Sequence, residues 1–195
     1  IASEEKLVKY LDIPLQHVNG EILKKMNRKG DKESLIKLIQ KIRTKIPDIT
    51  LRTTFITGFP GETEEQFCEL CEFVKETRFD RLGCFTYSAE EDTIAAEMPD
   101  QVDEQTKVSR MENIMDMQTL IAAEKNEEKI GSVIETLIEG WDDYIKCYFG
   151  RTTGDAPEVD GKIFFMSTRP LVIGDFVKVQ INDCIEYDLL GELCE

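Results

Sequence analysis

The chain has 195 residues, and its 24 Lys and Arg residues against 39 Asp and Glu residues give a formal charge of −15. This charge argues against a nucleic-acid binder that works by bulk electrostatics, because such binding needs clustered Lys and Arg, and a basic protein partner would suit the chain better. No apolar run approaches the ~20 residues of a membrane helix, and no secretory segment opens the chain. Since the sequence begins at Ile1 rather than at a methionine, we expect it to be part of a longer polypeptide.

The first 87 residues predict strands that alternate with helices. The predicted strands cover residues 10–15, 50–57 and 81–87, and the predicted helices cover residues 21–26, 31–46 and 63–77. Asp31 is a good N-cap, and Thr63 with Gln66 forms a capping box. Alternation of this kind indicates parallel βαβ units. Three strands are too few to close an eight-stranded barrel, so we expect half of a larger domain.

The remaining sequence changes character twice. Residues 88–102 are acidic and rich in turn formers, and residues 103–130 have the apolar spacing of one long helix. After Gly131 come five short alternating runs, at residues 133–138, 144–149, 162–166, 176–181 and 185–190, which favour a small antiparallel barrel of the OB type. The sequence therefore predicts an α/β domain over 1–102, a connecting helix over 103–130 and an all-β barrel over 131–195.

The six cysteines give no strong sign of a metal site. Cys68 and Cys71 have the C-x-x-C spacing of a redox or metal half-site, but Phe67, Leu70, Cys71 and Val74 share one face of a predicted helix. Cys71 is therefore interpreted as a core residue. A zinc site would need a second pair or histidines, and His17 is the only histidine in the sequence. We expect no metal ligands in this chain.

Three segments follow the predicted parallel strands, where ligands of such sheets bind. They cover residues 15–20, 57–63 and 85–88. Glycines in the middle segment allow close approach of a ligand to the backbone, and the following helix offers free N–H groups; a plain strand-to-helix turn is the alternative. His17 could act as a general base, although no carboxylate or nucleophile is evidently paired with it. Arg52 lies in an apolar strand, so it either reaches a carboxylate or lies at the open end of the barrel.

Several of these segments are familiar in combination. The runs 10–17 (YLDIPLQH), 23–28 (LKKMNR) and 51–63 (LRTTFITGFPGET) closely resemble the radical-SAM methylthiotransferases, and residues 150–161 resemble the TRAM domain that ends those enzymes. The order is right and the resemblance covers essentially the whole chain. The sequence departs from the general radical-SAM pattern G-x-I-x-G-x-x-E, because Thr54 replaces the first glycine and Glu62 stands one place late.

The resemblance implies a cofactor cavity at the open end of a partial (β/α) barrel. It implies S-adenosyl-L-methionine and two 4Fe-4S clusters in the full-length enzyme, and none of this chain's residues match the cysteine motifs that ligate those clusters. Catalytic residues are not assigned by it. The residues that it places at the S-adenosylmethionine pocket are Gln16, His17, Arg52, Ile56, Gly58, Phe85 and Tyr87.

Within the family, the PLQH sequence at 14–17 resembles the branch that modifies an aspartate of a small-subunit ribosomal protein in the cytoplasm. In residues 131–195, 5 basic and 13 acidic residues give 5 − 13 = −8, a surface that favours a basic ribosomal protein over tRNA. The full enzyme would also need an electron donor. Two alternatives stay open: a tRNA adenosine methylthiotransferase, and a binding module without enzymatic activity.

Overall fold

The computed structural model describes residues 1–194 and divides into two compact units. One unit comprises residues 11–118, and the other comprises residues 1–10 together with the segment that begins at residue 119. Helix α4 (Glu104–Glu127) contributes residues to both. In the described part of the chain, every helix falls short of the length and hydrophobicity that a membrane span requires.

The first unit is an α/β structure, as the sequence predicts. Its sheet has the strand order β1-β2-β3, and β2 pairs with β3 in parallel. Helices follow the first two strands. The elements are β1 (Tyr10–Asp12), α1 (Gly20–Lys25), α2 (Lys32–Lys45), β2 (Thr50–Thr57), α3 (Glu64–Thr77) and β3 (Arg81–Thr86).

Strict alternation along β2 decides which face of the sheet is buried. Leu51, Phe55 and their alternate neighbours are buried, whereas the residues between them are half-buried. Phe55 contacts Phe73 and Phe79 edge to face at 6.3 and 6.2 Å between ring centroids. Edge-to-face contacts of this kind add stability beyond area burial. One face of the sheet is therefore fixed by an aromatic core, which leaves the other face to line a cavity.

The helix starts follow the predicted capping chemistry. Asp31 caps α2 through a capping box with Ser34, and Thr63 caps α3 through a capping box with Gln66. On α3, Leu70 and Val74 are fully buried, Cys71 is half-buried and Cys68 is exposed. Cys71 was interpreted as a core residue, but it lies at the edge of the helix's buried face and is only half-buried.

The second unit contains a closed five-stranded barrel with the order β4-β5-β6-β8-β7, which confirms the predicted fold class. The barrel is not wholly antiparallel as predicted, because β6 and β8 pair in parallel. Its core consists of Ile138, Ile163, Phe165, Val179, Ile181 and Leu189. The strands are β4 (Val133–Asp142), β5 (Cys147–Arg151), β6 (Ile163–Met166), β7 (Phe176–Ile185) and β8 (Asp188–Leu193).

The end of the barrel differs from the prediction. The sequence predicts a strand over 185–190, but β7 continues to Ile185 and β8 begins at Asp188. A register shift between Ile181 and Asp183 explains the difference, because a bulge lets a strand bend and continue past a break in its alternation. The turn then falls at Glu186, whose φ of 51° is left-handed.

Close backbone approach in the barrel gives a stability prediction. A Cβ on Gly150 would lie 2.1 Å from the carbonyl oxygen of Leu137, whereas a Cβ on Gly83 in β3 would meet nothing closer than 3.7 Å. We expect Gly150→Ala to lower the free energy of unfolding by about 1–3 kcal/mol, because the strands β4 and β5 must separate. Gly83→Ala is the matched control and should change it by less than about 1 kcal/mol. Urea denaturation measures the free energy of unfolding of both variants. Equal losses in the two variants would contradict the close packing of β4 against β5.

Candidate functional site

A cavity of about 810 Å³ opens on the free face of the first unit's sheet. Its volume is in the range of small-molecule and cofactor sites. The wall combines the segment after β1, the end of α1, strands β2 and β3, and the segment that follows β3. Its lining residues are Gln16, Lys25, Met26, Asn27, Arg28, Thr54, Ile56, Phe59, Phe85, Thr86, Tyr87, Ser88, Glu90, Thr93, Ile94, Ala95 and Met98.

The inner wall of the cavity is apolar and aromatic. Phe59 and Tyr87 are buried with Ile22 in one cluster, and their rings meet at 5.2 Å between centroids. Phe85 and Ile94 also line the cavity, and they are 60% and 81% exposed. Large apolar side chains held this open to solvent mark a surface that a ligand or another polypeptide covers.

Gln16 presents a polar group to this apolar wall from a strained backbone. Its φ is 71°, a left-handed conformation that is uncommon for a residue with a side chain. Two hydrogen bonds hold it there: its N–H donates to Thr54 at 2.8 Å, and its carbonyl accepts from Ile56 at 2.8 Å. Strain of this kind persists only where the surroundings enforce it, and it is common at ligand sites.

Two buried polar atoms in the cavity wall have no partner within residues 1–194. They are the side-chain Oε1 of Gln16 and the hydroxyl of Tyr87, a residue that is only 8% exposed. Leaving a buried polar group unpaired costs about 1–3 kcal/mol. An apolar wall with two unsatisfied polar atoms fits a ligand that has a flat ring and several hydrogen-bonding groups, such as a nucleoside.

The glycine turn after β2 differs from the predicted ligand loop. The N–H groups of Gly58 and Phe59 donate to the buried carboxylate of Glu62, and the N–H of Gly61 donates to the carbonyl of Asp100. These donors are therefore used within the unit. The turn acts as a support for the cavity wall through Phe59, which matches the alternative of a structural turn.

Arg110 of helix α4 compensates the Glu62 charge. It donates to the Glu62 carboxylate at 3.2 Å and to Glu64 at 3.0 Å, and the Glu62 side chain is fully buried. Burial raises the pKa of the Glu62 carboxyl, and Arg110 together with the two backbone N–H groups opposes that shift. Removing one partner of such a buried pair typically costs about 3–5 kcal/mol.

Gly58 also makes room for a buried lysine. A Cβ on Gly58 would lie 2.2 Å from Cγ of Lys107. The Lys107 ammonium pairs with Glu104 at 2.6 Å and lies 5.3 Å from the centre of the Tyr87 ring. A cation over an aromatic face is attractive, so Lys107 helps to hold Tyr87 in the cavity wall.

His17 lies beneath the site rather than in it. The residue is fully buried, and its Nδ1 accepts the N–H of Asn19 at 3.0 Å. Burial, followed by the charge of Arg110, lowers the pKa of His17 from 6.5 to about 4. The imidazole is neutral at physiological pH and does not line the cavity.

The structure thus separates the seven predicted site residues. Gln16, Ile56, Phe85 and Tyr87 line one cavity, whereas His17, Arg52 and Gly58 lie outside its lining. Arg52 reaches the carboxylate of Asp12 at 2.7 Å, which is one of the two outcomes that its place in an apolar strand predicts.

Sequence reasoning missed the residues of α1 and of the segment after β3. Met26, Arg28, Ile94 and Met98 line the cavity, although they stand in a polar helix end and in a stretch interpreted as a linker. The available sequence signal was Ile94 among acidic residues, because a large apolar side chain in an otherwise polar linker indicates a contact with another part of the protein or with a ligand.

The cysteines do not form a cluster site in the described chain. Residues 1–194 contain no group of three or more His, Cys, Asp or Glu residues that could hold a metal ion. Burial raises the pKa of Cys71 to about 11 and that of Cys84 to about 12, so neither favours the thiolate form that ligates iron. The residues present do not fit an iron–sulfur cluster.

Comparison with known proteins defines the class. The TRAM domain family matches residues 130–194, and the radical SAM superfamily matches residues 2–74. The chain therefore carries radical SAM sequence followed by a TRAM domain. Among solved structures, coproporphyrinogen III oxidase (HemN) from Escherichia coli, described as a radical SAM enzyme, is similar with a TM-score of 0.49 and 25% identity over 58% of this chain and 27% of that one.

The curated relatives point to one group of enzymes within these broad families. Proteins named ribosomal protein uS12 methylthiotransferase RimO are 50% identical in Desulforamulus reducens and 52% identical in Pelotomaculum thermopropionicum, covering 100% and 98% of this chain. A third, from Clostridium novyi, is 48% identical. The predicted resemblance to the radical-SAM methylthiotransferases is confirmed. The chain spans 44% of the length of each of these relatives.

The buried histidine gives a pH prediction. Because folding lowers the pKa of His17 from 6.5 to about 4, the unfolded chain takes up a proton first as the pH falls, and stability is lost over that window. Between pH 7 and pH 5 we expect wild type to lose about 2 kcal/mol more unfolding free energy than His17→Gln, which cannot titrate. Urea denaturation at the two pH values measures the difference. The same loss in both proteins would show that His17 is not buried in its neutral form.

Proposed function

We propose that the protein containing this chain is a radical-SAM methylthiotransferase that modifies the β-carbon of an aspartate in ribosomal protein uS12. The observation that carries the proposal is the similarity of about 50% identity along the whole chain to proteins that bear this name. The same similarity covers both units, so it is not limited to one common domain. We assign to this chain part of the cofactor cavity and the substrate-docking barrel.

S-adenosylmethionine is the ligand that the cavity fits best under this proposal. Ile56, Phe59 and Tyr87 form an apolar wall for a flat base. The Gln16 Oε1 and the Tyr87 hydroxyl have no hydrogen-bond partner in the described chain, so they are available to polar groups of the ligand. When bound, S-adenosylmethionine supplies the radical chemistry and the methyl group, which suits an unactivated C–H bond that offers no acid–base route. The clusters and an electron donor belong to the full enzyme, and no step is assigned to this chain through them.

Six of the seven predicted site residues have a role in this proposal, and His17 has none. Gln16 and Tyr87 orient the ligand by hydrogen bonds, and Ile56 and Phe85 cover its apolar surface and exclude water. Arg52 and Gly58 act indirectly. Arg52 fixes β1 through Asp12, and Gly58 admits Lys107 behind the Tyr87 ring.

The barrel offers a surface for a basic protein. Trp141, Tyr144 and Ile145 are exposed near the β4–β5 turn, and Tyr144 is 98% exposed. The segment between β6 and β7 adds exposed Val172 and Ile173, and the first residue of β7 adds exposed Phe176. The N–H of Leu171 in this segment donates to the hydroxyl of Tyr148 at 2.9 Å, and the Tyr148 ring contacts Trp141.

Acidic side chains flank that apolar surface. Asp143 and Asp175 are exposed beside it, in a barrel sequence whose net charge is −8. Apolar and aromatic contact at the centre with acidic groups at the edge is complementary to a basic polypeptide segment. The same charge repels the phosphates of tRNA, so the barrel favours the ribosomal protein as substrate.

Deletion of the gene that encodes this chain tests the proposal. In the organism concerned, uS12 should lose the mass of one methylthio group, as measured by mass spectrometry of the intact protein and its peptides. Methylthiolated tRNA nucleosides should stay unchanged. If the tRNA nucleosides are lost instead and uS12 is unaffected, the tRNA-modifying alternative is correct; if neither changes, the enzyme proposal is wrong.

Complementation of that deletion tests the role of the barrel. With the gene carrying Asp143→Lys and Asp175→Lys, the amount of methylthiolated uS12 should be about one tenth of that with the wild-type gene, or lower. The reason is that the new positive charges would repel the basic substrate. The matched control carries Glu76→Lys and Glu112→Lys, which change the net charge equally at exposed positions of α3 and α4. Equal restoration by both would remove the electrostatic argument.

A further inference from the structure

Helix α2 carries a charge opposite to that of the chain as a whole. Within Lys32–Lys45, five basic residues and one acidic residue give 5 − 1 = +4, whereas the rest of the chain has 24 − 5 = 19 basic and 39 − 1 = 38 acidic residues. Helix α3 of the same unit has one basic and five acidic residues. A helix face that is only solvated would follow the acidic composition of the protein, as α3 does. The positive charge of α2 therefore indicates an anionic partner.

Two of the five basic residues of α2 serve the fold. Lys32 pairs with Glu72 of α3 at 3.0 Å. Arg43 is half-buried and donates to the carbonyls of Thr77 and Arg78 at 2.7 and 2.9 Å. These contacts fix α2 against the end of α3. The other three basic residues take no part in them.

The remaining cations, Lys37, Lys41 and Lys45, form a row that we call the lysine stripe. A spacing of four residues places them on one face of the helix, with about 6 Å along the axis between successive lysines. All three are exposed. Lys37 pairs with Glu33 at 2.5 Å, whereas Lys41 and Lys45 make no salt bridge within residues 1–194. The opposite face holds the buried Ile39, so packing of α2 on the unit keeps the stripe toward solvent.

The surroundings of the lysine stripe distinguish between two classes of anionic partner. Within α2, Leu38 is the one large apolar side chain that is exposed. Protein–protein interfaces have an apolar and aromatic centre and are depleted in Lys, and the barrel surface described above has that composition. Contacts to a nucleic-acid backbone are made by Lys and Arg to phosphates and need no apolar centre. The stripe therefore fits a phosphate backbone better than an acidic protein.

We propose that the lysine stripe binds the phosphate backbone of ribosomal RNA beside uS12 in the small ribosomal subunit. The proposal rests on the proposed function, whose substrate is a ribosomal protein and is therefore surrounded by RNA once it is assembled. The barrel then contacts the basic protein and the stripe contacts the anionic RNA, so each surface meets the opposite charge. The net charge of −15 opposes RNA contact elsewhere on the chain, which confines it to the stripe.

Binding to small ribosomal subunits tests the contact. The titration uses the full-length protein that contains this chain, and small subunits from the deletion strain, in which uS12 is unmodified. The stripe variant carries Lys37→Gln, Lys41→Gln and Lys45→Gln. Gln has nearly the same helix propensity as Lys, so α2 should stay folded. A second stripe variant with Arg at the same three positions keeps the charge.

The matched control carries Lys6→Gln, Lys9→Gln and Lys162→Gln. These lysines are exposed and lie outside α2, so the control changes the net charge of the protein by the same amount as the stripe variant. It separates a local contact from a general effect of charge.

The salt dependence of binding gives the expected result. The stripe variant should bind small subunits at least about tenfold more weakly than wild type at about 0.1 M salt. The slope of log affinity against log salt concentration should become less steep by about 2–3, because each lysine that neutralises a phosphate releases counterions. The control and the Arg variant should keep the wild-type slope. An unchanged slope in the stripe variant, or an equal loss in the control, would overturn the proposal.

Protein-free ribosomal RNA of the small subunit identifies the class of partner. In the same titration the stripe variant should lose affinity for this RNA as it does for the subunit. If the variant binds the RNA as well as wild type does, but loses affinity for the intact subunit, the stripe contacts an acidic protein and the RNA proposal is wrong.

The modification assay separates this proposal from the proposed function. For the holoenzyme, the rate of methylthiolation of assembled small subunits divided by that of isolated uS12 should fall at least about tenfold in the stripe variant. An unchanged ratio would overturn a role of the stripe in substrate binding. If wild type modifies neither form of uS12, the proposed function is wrong, and the titrations still decide whether the stripe binds RNA.

Discussion

The buried carboxylate of Glu62 is the group on which the cavity depends. It receives the N–H groups of Gly58 and Phe59 and the guanidinium of Arg110, so one side chain fixes the turn after β2 to the first part of helix α4. A charge without solvent is tolerated only when its partners are complete. The requirement works in both directions: the carboxylate orders the turn, and the turn supplies the donors that allow the carboxylate to be buried.

The cavity wall follows from that anchored turn. Phe59 enters the wall directly, and the two glycines leave space for lysines on either side of it. Behind Gly58 lies Lys107 against the Tyr87 ring, and beside Gly61 lies Lys25 at the cavity mouth. One short segment thus places an aromatic wall, a supporting cation and a cation at the edge. Its glycines are needed for their left-handed backbone, with φ of 72° and 75°, and for close side-chain approach, rather than for contact between the backbone and a ligand.

The limits of sequence prediction are physical and differ between the parts of the molecule. Alternation and capping patterns predict the α/β unit and the barrel because the elements of both depend on local contacts. The patterns fail at Ile185, where a bulge carries β7 past its expected end. Position after a strand predicts Gln16 and Tyr87 as cavity residues. It cannot show that His17 is buried or that Lys107 packs against Gly58, because both depend on tertiary packing, in the second case against helix α4, which is remote in sequence.

Amide hydrogen exchange measures the central claim most directly. In Glu62→Gln, which keeps the shape and removes the charge, the amides of Gly58 and Phe59 should exchange at least about tenfold faster than in wild type, relative to the amides of the β2–β3 ladder. Barrel amides such as Ile181 should be unchanged. If Gly58 and Phe59 keep their protection while the rest of the unit weakens uniformly, the Glu62 carboxylate contributes only to general stability, and the cavity wall has another support.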